Sequence, residues 1–236
     1  MGTGVLLYCF DTPEVKYHKL AERCVRHIKK YLKLDITVVT NMDTFKRFSH
    51  MGMINYKLVE NKTGNVRPYR GKMIAWHNIE RALAFEHSPY DTTILMDCDY
   101  FVFSDNLLEL CRTKFDMLIH DKIHDLSCER VIAGKDESTL PLVWATVTLF
   151  RKTEKARTIF SMIKHVQKYY GHYRNLYRIR YQNYRNDYAF AIALHQLHLG
   201  EFIPTPMAML GIDIDVIDYD GSGIKYRHGK QVNFIH

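Results

Sequence analysis

Thr92-Thr93-Ile94-Leu95-Met96-Asp97-Cys98-Asp99 is the stretch on which the reading turns. Its first five residues are β-branched or apolar and read as a buried strand, which runs straight into two carboxylates one residue apart. Positions 100–103, Tyr-Phe-Val-Phe, continue as a short apolar piece. A pair of acids therefore stands at a strand's carboxyl end. For both to reach one ion, the chain is expected to turn where the apolar run stops. Hard oxygen ligands suit Mg²⁺ or Mn²⁺, which keep open positions for a diphosphate. Such an ion neutralises a phosphate leaving group as a bond to it breaks. Taken alone, the same spacing also fits a solvated loop edge or a helix cap.

Upstream, Val5-Leu6-Leu7-Tyr8-Cys9-Phe10 reads as a buried first strand. It is too short for a membrane span and lacks both a basic leader and a small-residue cleavage site. Ala21, Cys24, Val25, Ile28, Tyr31 and Leu32 then recur at helical spacing, and Ile36-Thr37-Val38-Val39 reads as a second strand, which makes a β-α-β opening. Positions 61–71 mix Asn, Gly, Pro and Arg without a period and read as loop. Ala75, Ile79, Ala82 and Leu83 mark an amphipathic helix that ends before Ser88-Pro89. Downstream, 115–119 and 143–150 look like strands. Ala156, Ile159, Phe160, Ile163 and Val166 trace a helix, and 188–197 another. Strands alternating with helices predict a single α/β domain with a mainly parallel sheet flanked by helices, binding ligands at the strands' carboxyl ends. There is no internal repeat and no low-complexity linker.

A chain of 236 residues with 47% hydrophobic content buries one substantial core. No run reaches the roughly 20 apolar residues of a transmembrane helix. Five cysteines without a C-x-x-C pair argue against a disulfide framework and for a reducing, cytoplasmic location. The net charge of +7 is concentrated: positions 155–186 hold eight Lys and Arg and no Asp or Glu, which leaves the rest of the chain near neutral.

Leu95-Met96-Asp97-Cys98-Asp99-Tyr100-Phe101-Val102, followed by Asn106-Leu107-Leu108-Glu109-Leu110, resembles the strand, D-x-D and short helix of nucleotide-sugar glycosyltransferases with the GT-A (Rossmann-like) fold. Within that family it is most similar to the glycogenin-like and bacterial galactosyltransferase-like branch. The resemblance implies one glycosyltransferase domain over 1–236, with a nucleotide-sugar-binding half at 1–110 and an acceptor-binding half at 111–236. It implies Mn²⁺ or Mg²⁺ on Asp97 and Asp99, with Asp97 also facing the donor, a UDP-sugar. The loop after the first strand, which in the family cradles base and ribose, falls on Asp11, Thr12 and Tyr17. Tyr69-Arg70-Gly71-Lys72 occupies the place of a basic donor contact, which points to Arg70 and Lys72, although a solvated loop explains them as well. The strand at 143–150 with Arg151-Lys152-Thr153 is similar to the family's central strand before its acceptor-side helix. Asn186-Asp187-Tyr188-Ala189-Phe190 is similar to the segment that sets an acid beneath the sugar. Asp187 is thus the candidate catalytic residue, and also a natural helix-capping or first-turn acid.

The family often takes a third metal ligand from a histidine in a late apolar strand followed by a glycine-containing loop. Val232-Asn233-Phe234-Ile235-His236 matches the strand but not the loop, so either the sequence is cut short there or the site is incomplete, with His228 as the fallback ligand. Asp213, Asp215, Asp218 and Asp220 fail the calcium-loop pattern. Their alternation with Ile212, Ile214 and Val216 suggests an edge strand before the Gly221-Ser222-Gly223 turn.

Within the basic segment, Tyr169, Tyr170, Tyr173, Tyr177, Tyr181 and Tyr184 interleave with His172, Arg174, Arg178, Arg180 and Arg185. Arginine supplies phosphate contacts and tyrosine supplies faces for stacking. Several of these tyrosines also fall at helical spacing, so a Tyr-rich helix with an exposed Arg face fits them. The absence of acid favours a polyanionic acceptor. Glycosyltransferases that decorate hydroxymethylated pyrimidines in bacteriophage DNA are similar in this chemistry, though not in a motif, and would work in the host cytoplasm. The expected function is metal-dependent sugar transfer to such DNA, with Arg174, Arg178, Arg180, Arg185, Tyr177 and Tyr181 on the nucleic acid. Two alternatives stand beside it: transfer to a glycan, lipid or protein, and a noncatalytic nucleic-acid-binding protein. Whether the anomeric configuration is retained or, with Asp187 as base, inverted stays open.

Overall fold

The computed structural model describes residues 2–60, 65–69, 71–77, 79–125, 130–131, 140, 143–203, 207–209, 214–219, 224–228 and 231–235, with backbone alone for 68–69, 124–125, 130–131 and everything after 203. In chain order the strands are β1 Thr3–Tyr8, β2 Asp35–Thr40, β3 Asn55–Leu58, β4 Val66–Tyr69, β5 Lys72–Ala75, β6 Thr92–Asp97 and β7 Met117–His120. They continue as β8 Ile123–Asp125, β9 Arg130–Val131, β10 Trp144–Arg151, β11 Met207–Met209, β12 Ile214–Tyr219, β13 Ile224–His228 and β14 Gln231–Ile235. The α-helices are α1 Tyr17–His27, α2 Met42–Phe48, α3 Ala84–His87, α4 Asn106–Arg112, α5 Glu154–Lys168, α6 Tyr170–Leu176 and α7 Asn186–Gln196. A π-helical turn, Ile28–Leu32, extends α1, and a 3-10 turn, Ile79–Leu83, leads into α3.

The central sheet has six strands in the order β3-β2-β1-β6-β10-β7. All neighbours from β3 to β6 are parallel, whereas β10 runs antiparallel to both β6 and β7. The mainly parallel sheet expected from the sequence is therefore present, with one reversed strand inside it.

Its strands are apolar on both faces because helices cover both. Val5, Leu7, Ile94, Met96, Val147 and Leu149 point to one side, where they meet Ala21, Cys24, Val25 and Ile28 of α1 and its extension. The alternate residues Leu6, Leu95 and Phe150 point to the other, where they meet Ile159, Phe160 and Ile163 of α5 and Phe190 of α7. Phe160 lies edge-on between Phe150 at 4.8 Å and Phe190 at 5.9 Å. A buried phenylalanine of this kind contributes about 1.5–3 kcal/mol. Helix α7 is buried from Tyr188 to Leu194, so it passes through the core rather than along its surface.

Three local expectations are corrected. The segment read as loop at 61–71 contains β4, which pairs with β5 as an antiparallel hairpin, and Gly71 takes φ +75° at its tip. A left-handed residue there is what a tight hairpin turn requires. The helix expected from Ala75 starts at Ile79 and begins as a 3-10 turn. The Tyr-rich segment is not one continuous helix: α6 ends at Leu176, and Arg178 adopts φ +53°. The edge strand predicted around 214–216 is β12, at the margin of the sheet β12-β13-β14.

Candidate functional site

Parallel β1 and β6 end side by side, with Tyr8 in register with Asp97, so their carboxyl ends share one edge of the sheet. Beyond Asp97 the chain turns, with Tyr100 N–H donating to the Asp97 carbonyl at 3.1 Å. The turn expected where the apolar run stops is therefore present, and Asp99 lies in it. Cys98, between them, is buried and hydrogen-bonds Cys9, while Cys24 Sγ lies 4.0 Å from the Asp97 carbonyl. The inward cysteine sends both carboxylates outward, where 42% of the Asp97 side chain meets solvent and Asp99 is exposed.

Both carboxyls nevertheless have raised pKa values. Surrounding protein mass lifts Asp97 to about 6, with Asp99 and Asp187 adding to the rise and Arg81 opposing it. Burial likewise raises Asp99, against its own backbone N–H, Arg67 and Arg81. Carboxylates that touch water yet have protein packed around them are costly to ionise without a cation beside them.

Asp187, which opens α7, is brought to the same place. Its Oδ1 accepts from Ala145 N–H of β10 at 2.9 Å, and its Oδ2 accepts from Arg185 at 3.0 Å. Its side chain therefore ties α7 to β10 instead of capping its own helix, although its position in the first turn also suits the helix dipole.

Two arginines that the sequence reading did not single out complete the cleft. Arg81 pairs with Asp97 Oδ1 and donates to the carbonyls of Ala145 and, at 3.1 Å, Thr146. Its side chain is only 4% exposed. Arg67 of β4 donates to the Tyr17 hydroxyl, lies over the Trp76 ring at 5.7 Å, and lowers the pKa of Asp99. Burial pushes the Tyr17 phenol up to about 12, Arg67 opposes the rise, and Asp99 adds to it. The one available signal for Arg81 was a charged pair, Glu80-Arg81, inside the apolar run 79–85; both residues are buried. The hairpin thus carries Arg67 to the carboxylates, while Lys72 lies exposed on β5. Arg70 and His236 lie outside the described residues, and for His228 only the backbone is described.

Asp11 and Thr12 build the loop after β1. The Asp11 carboxylate accepts from His18 N–H at 2.9 Å and Arg47 at 3.1 Å and contacts His18 Nδ1 at 2.6 Å; Thr12 Oγ1 accepts from Val15 N–H at 3.0 Å. Of this trio, Tyr17 is the member tied to the carboxylates among the described residues, through Arg67 and Asp99.

The basic segment divides in two. Tyr170, Tyr173, Ile179 and Tyr184 are buried in the core. Tyr169 and Tyr181 stand 44% and 52% exposed, beside exposed Arg178 and Arg180 and partly exposed Arg174, Tyr177 and Arg185. Asn65, at the base of the hairpin, donates to the Tyr184 carbonyl at 2.7 Å, which joins this segment to the β4–β5 hairpin.

An oxygen-only pair with raised pKa values fits a hard divalent cation, which would relieve their mutual repulsion. Among the described residues, no three His, Cys, Asp or Glu form a closed cage. Among the same residues, no helix is long and apolar enough to cross a membrane.

No family model matches the chain, and no curated protein matches it. Solved structures do. Two structures of the galactosyltransferase LgtC superpose at 16% identity: an active-site mutant with TM-score 0.55, covering 87% of this chain and 72% of the other, and a complex with donor and acceptor sugar analogs with TM-score 0.53, covering 81% and 70%. Apo mouse xyloside xylosyltransferase 1 superposes with TM-score 0.56 at 12% identity, covering 86% and 85%. The chain has the GT-A fold of these enzymes.

Proposed function

We propose that the protein is a metal-dependent glycosyltransferase that moves a sugar from a nucleotide donor, a UDP-sugar, to an acceptor hydroxyl on a hydroxymethylated pyrimidine in DNA. The observation that carries the transfer chemistry is the solvent-facing carboxylate pair at the carboxyl end of β6, raised in pKa and set in this fold. Asp97 and Asp99 would hold Mn²⁺ or Mg²⁺, which when bound neutralises the departing diphosphate. Tyr17 and Arg67 wall the donor side, in the half spanning 1–110. Arg81 fixes the Asp97 carboxylate, and Asp187 reaches in from the acceptor half, 111–236. Both Asp187 oxygens are already engaged, by Ala145 N–H and by Arg185. Hydrogen bonds to the ionised form oppose its protonation, which weighs against inversion with Asp187 taking the proton.

The DNA reading rests on the acid-free cationic and aromatic face, which joins the site through Arg185. One observation favours a lipid-linked or glycan acceptor instead: Leu176 at the end of α6 is 59% exposed among those cations, a pattern that also suits a membrane interface.

Mass spectrometry of hydroxymethylcytosine DNA and of a glycan panel, after incubation with mixed nucleotide sugars and Mn²⁺ or chelator, tests both parts. The expected result is a metal-dependent hexose or pentose gain on DNA that Asp99→Asn abolishes. A gain on glycans alone would discard the DNA acceptor, and no gain on any substrate would overturn the transferase.

A further inference from the structure

Tyr181 lies on the non-helical stretch between α6 and α7, with 52% of its surface exposed. Its ring is not loose. The Tyr188 ring sits 5.8 Å away, tilted by 41°, and the Arg185 guanidinium lies 5.0 Å from the Tyr181 centroid. The same guanidinium is 5.9 Å from the Trp144 ring and pairs with Asp187 at 3.0 Å. An aromatic face that is backed, immobilised and open on one side has already lost the freedom that stacking would cost it. It stands one ion pair away from the carboxylate beside Asp97.

The chain leading to it is held open. Arg178 at φ +53° ends the helical path, Ile179 N–H donates to the Arg174 carbonyl at 2.9 Å, and Arg174 Nε donates back to the Ile179 carbonyl at 3.3 Å. With Ile179 buried, Arg178 and Arg180 on either side of it are turned outward. Because positions 155–186 contain no acid, nothing within that segment repels a phosphate. A neutral glycan gains nothing from two such cations. A bilayer would use a broad apolar face, whereas Tyr170, Tyr173, Ile179 and Tyr184 are spent on the core.

We propose that Tyr181 is the stacking platform for the acceptor ring, and that the acceptor arrives as an unpaired nucleotide whose flanking phosphates are taken by Arg178 and Arg180. This rests on the transferase reading and narrows its substrate to single-stranded or extruded nucleotides, since a base inside a duplex has no free face to offer.

Fluorescence anisotropy with the full chain tests it, using a labelled hydroxymethylcytosine strand, its perfect duplex, an abasic strand of equal length and anionic lipid vesicles. Mn²⁺-dependent binding of the nucleotide sugar, measured by calorimetry on the native protein, tests the transferase reading separately. Single strand is expected to bind about tenfold more tightly than duplex, and Tyr181→Ala to lose about tenfold on the base-bearing strand while leaving the abasic strand unchanged. Tyr181→Phe, which keeps the ring, should stay within about twofold of native. Arg178→Ala with Arg180→Ala should flatten the slope of log K against log salt by about 1.4, from ~0.7 for each of two phosphates on a single strand. Circular dichroism checks that each variant folds. Equal losses on base-bearing and abasic strands, unchanged binding by Tyr181→Ala, or binding to vesicles but not to DNA would each overturn the proposal, whatever the calorimetry shows.

Discussion

Arg81 already acts as a cation for Asp97, with its side chain 4% exposed and its guanidinium spread over two β10 carbonyls as well. Asp99 and Asp187 both raise the Asp97 carboxyl, so the guanidinium is what keeps three neighbouring acids tolerable together. Replacing it by the unbranched, neutral side chain in Arg81→Met should therefore cost about 2 kcal/mol, less than for a fully buried pair because Asp97 can take water or a proton instead. A divalent ion then has more repulsion to relieve. Mn²⁺ should raise the thermal midpoint of Arg81→Met by more than it raises that of the native protein. An equal or smaller rise would show that Arg81 is not the counterion. This residue escaped the sequence reading for a physical reason. In a 3.6-residue helix Glu80 and Arg81 read as part of the solvated face, whereas the 3-10 turn they occupy buries both. Asp97 and Asp99 were readable because an unbroken apolar strand that runs into acids marks its own carboxyl end.

At the scale of elements, β1 shows how closely the sheet and its surroundings fit. It is the inner strand between β2 and β6, with Gly4 opposite Asp35 on one side and Thr93 on the other. A methyl group at Gly4 would overlap the ring of Tyr90, which is itself held by a 2.8 Å hydrogen bond between its hydroxyl and Thr37 Oγ1. Gly4→Ala should cost about 2 kcal/mol in chemical denaturation, the range for overpacking a close-packed site. In a double-mutant cycle with Tyr90→Leu, the pair should cost less than the sum of its members. Strict additivity would place the strain elsewhere. The elements legible in the sequence were those with a clean helical period or an unbroken apolar run: β1, α1, β2, β6, β7, β10, α5 and α7. The reversal of β10 was not legible, because a strand buried on both faces has the same apolar run in either direction. The β4–β5 hairpin was hidden because Arg67, Pro68 and Lys72 break any alternation, and the end of α6 because the tyrosine spacing continues past a backbone turn that no side chain announces.

Across the whole molecule, two sets of groups pull stability in opposite directions as pH falls. Burial keeps His27, His77 and His87 neutral, His87 down to about 4. Their contribution is in place above the ordinary value of 6.5 and is lost as pH falls toward their folded values. Asp97, raised from 3.8 to about 6, works the other way: its contribution is full below 3.8 and is lost as pH rises through about 6. The metal-free protein should therefore show a shallow stability profile between about pH 4 and 6.5. Bound metal requires the ionised carboxylate, so it removes the Asp97 arm and leaves the histidines unopposed. The gain in thermal midpoint from Mn²⁺ should thus be largest near pH 7.5 and fade by about pH 5, where the ion must first displace a proton. Thermal scans at these two pH values, with Mn²⁺ or chelator, measure it directly. A gain of the same size at both would mean that Mn²⁺ binds away from Asp97, and the cleft at the end of β6 would lose its claim to the metal.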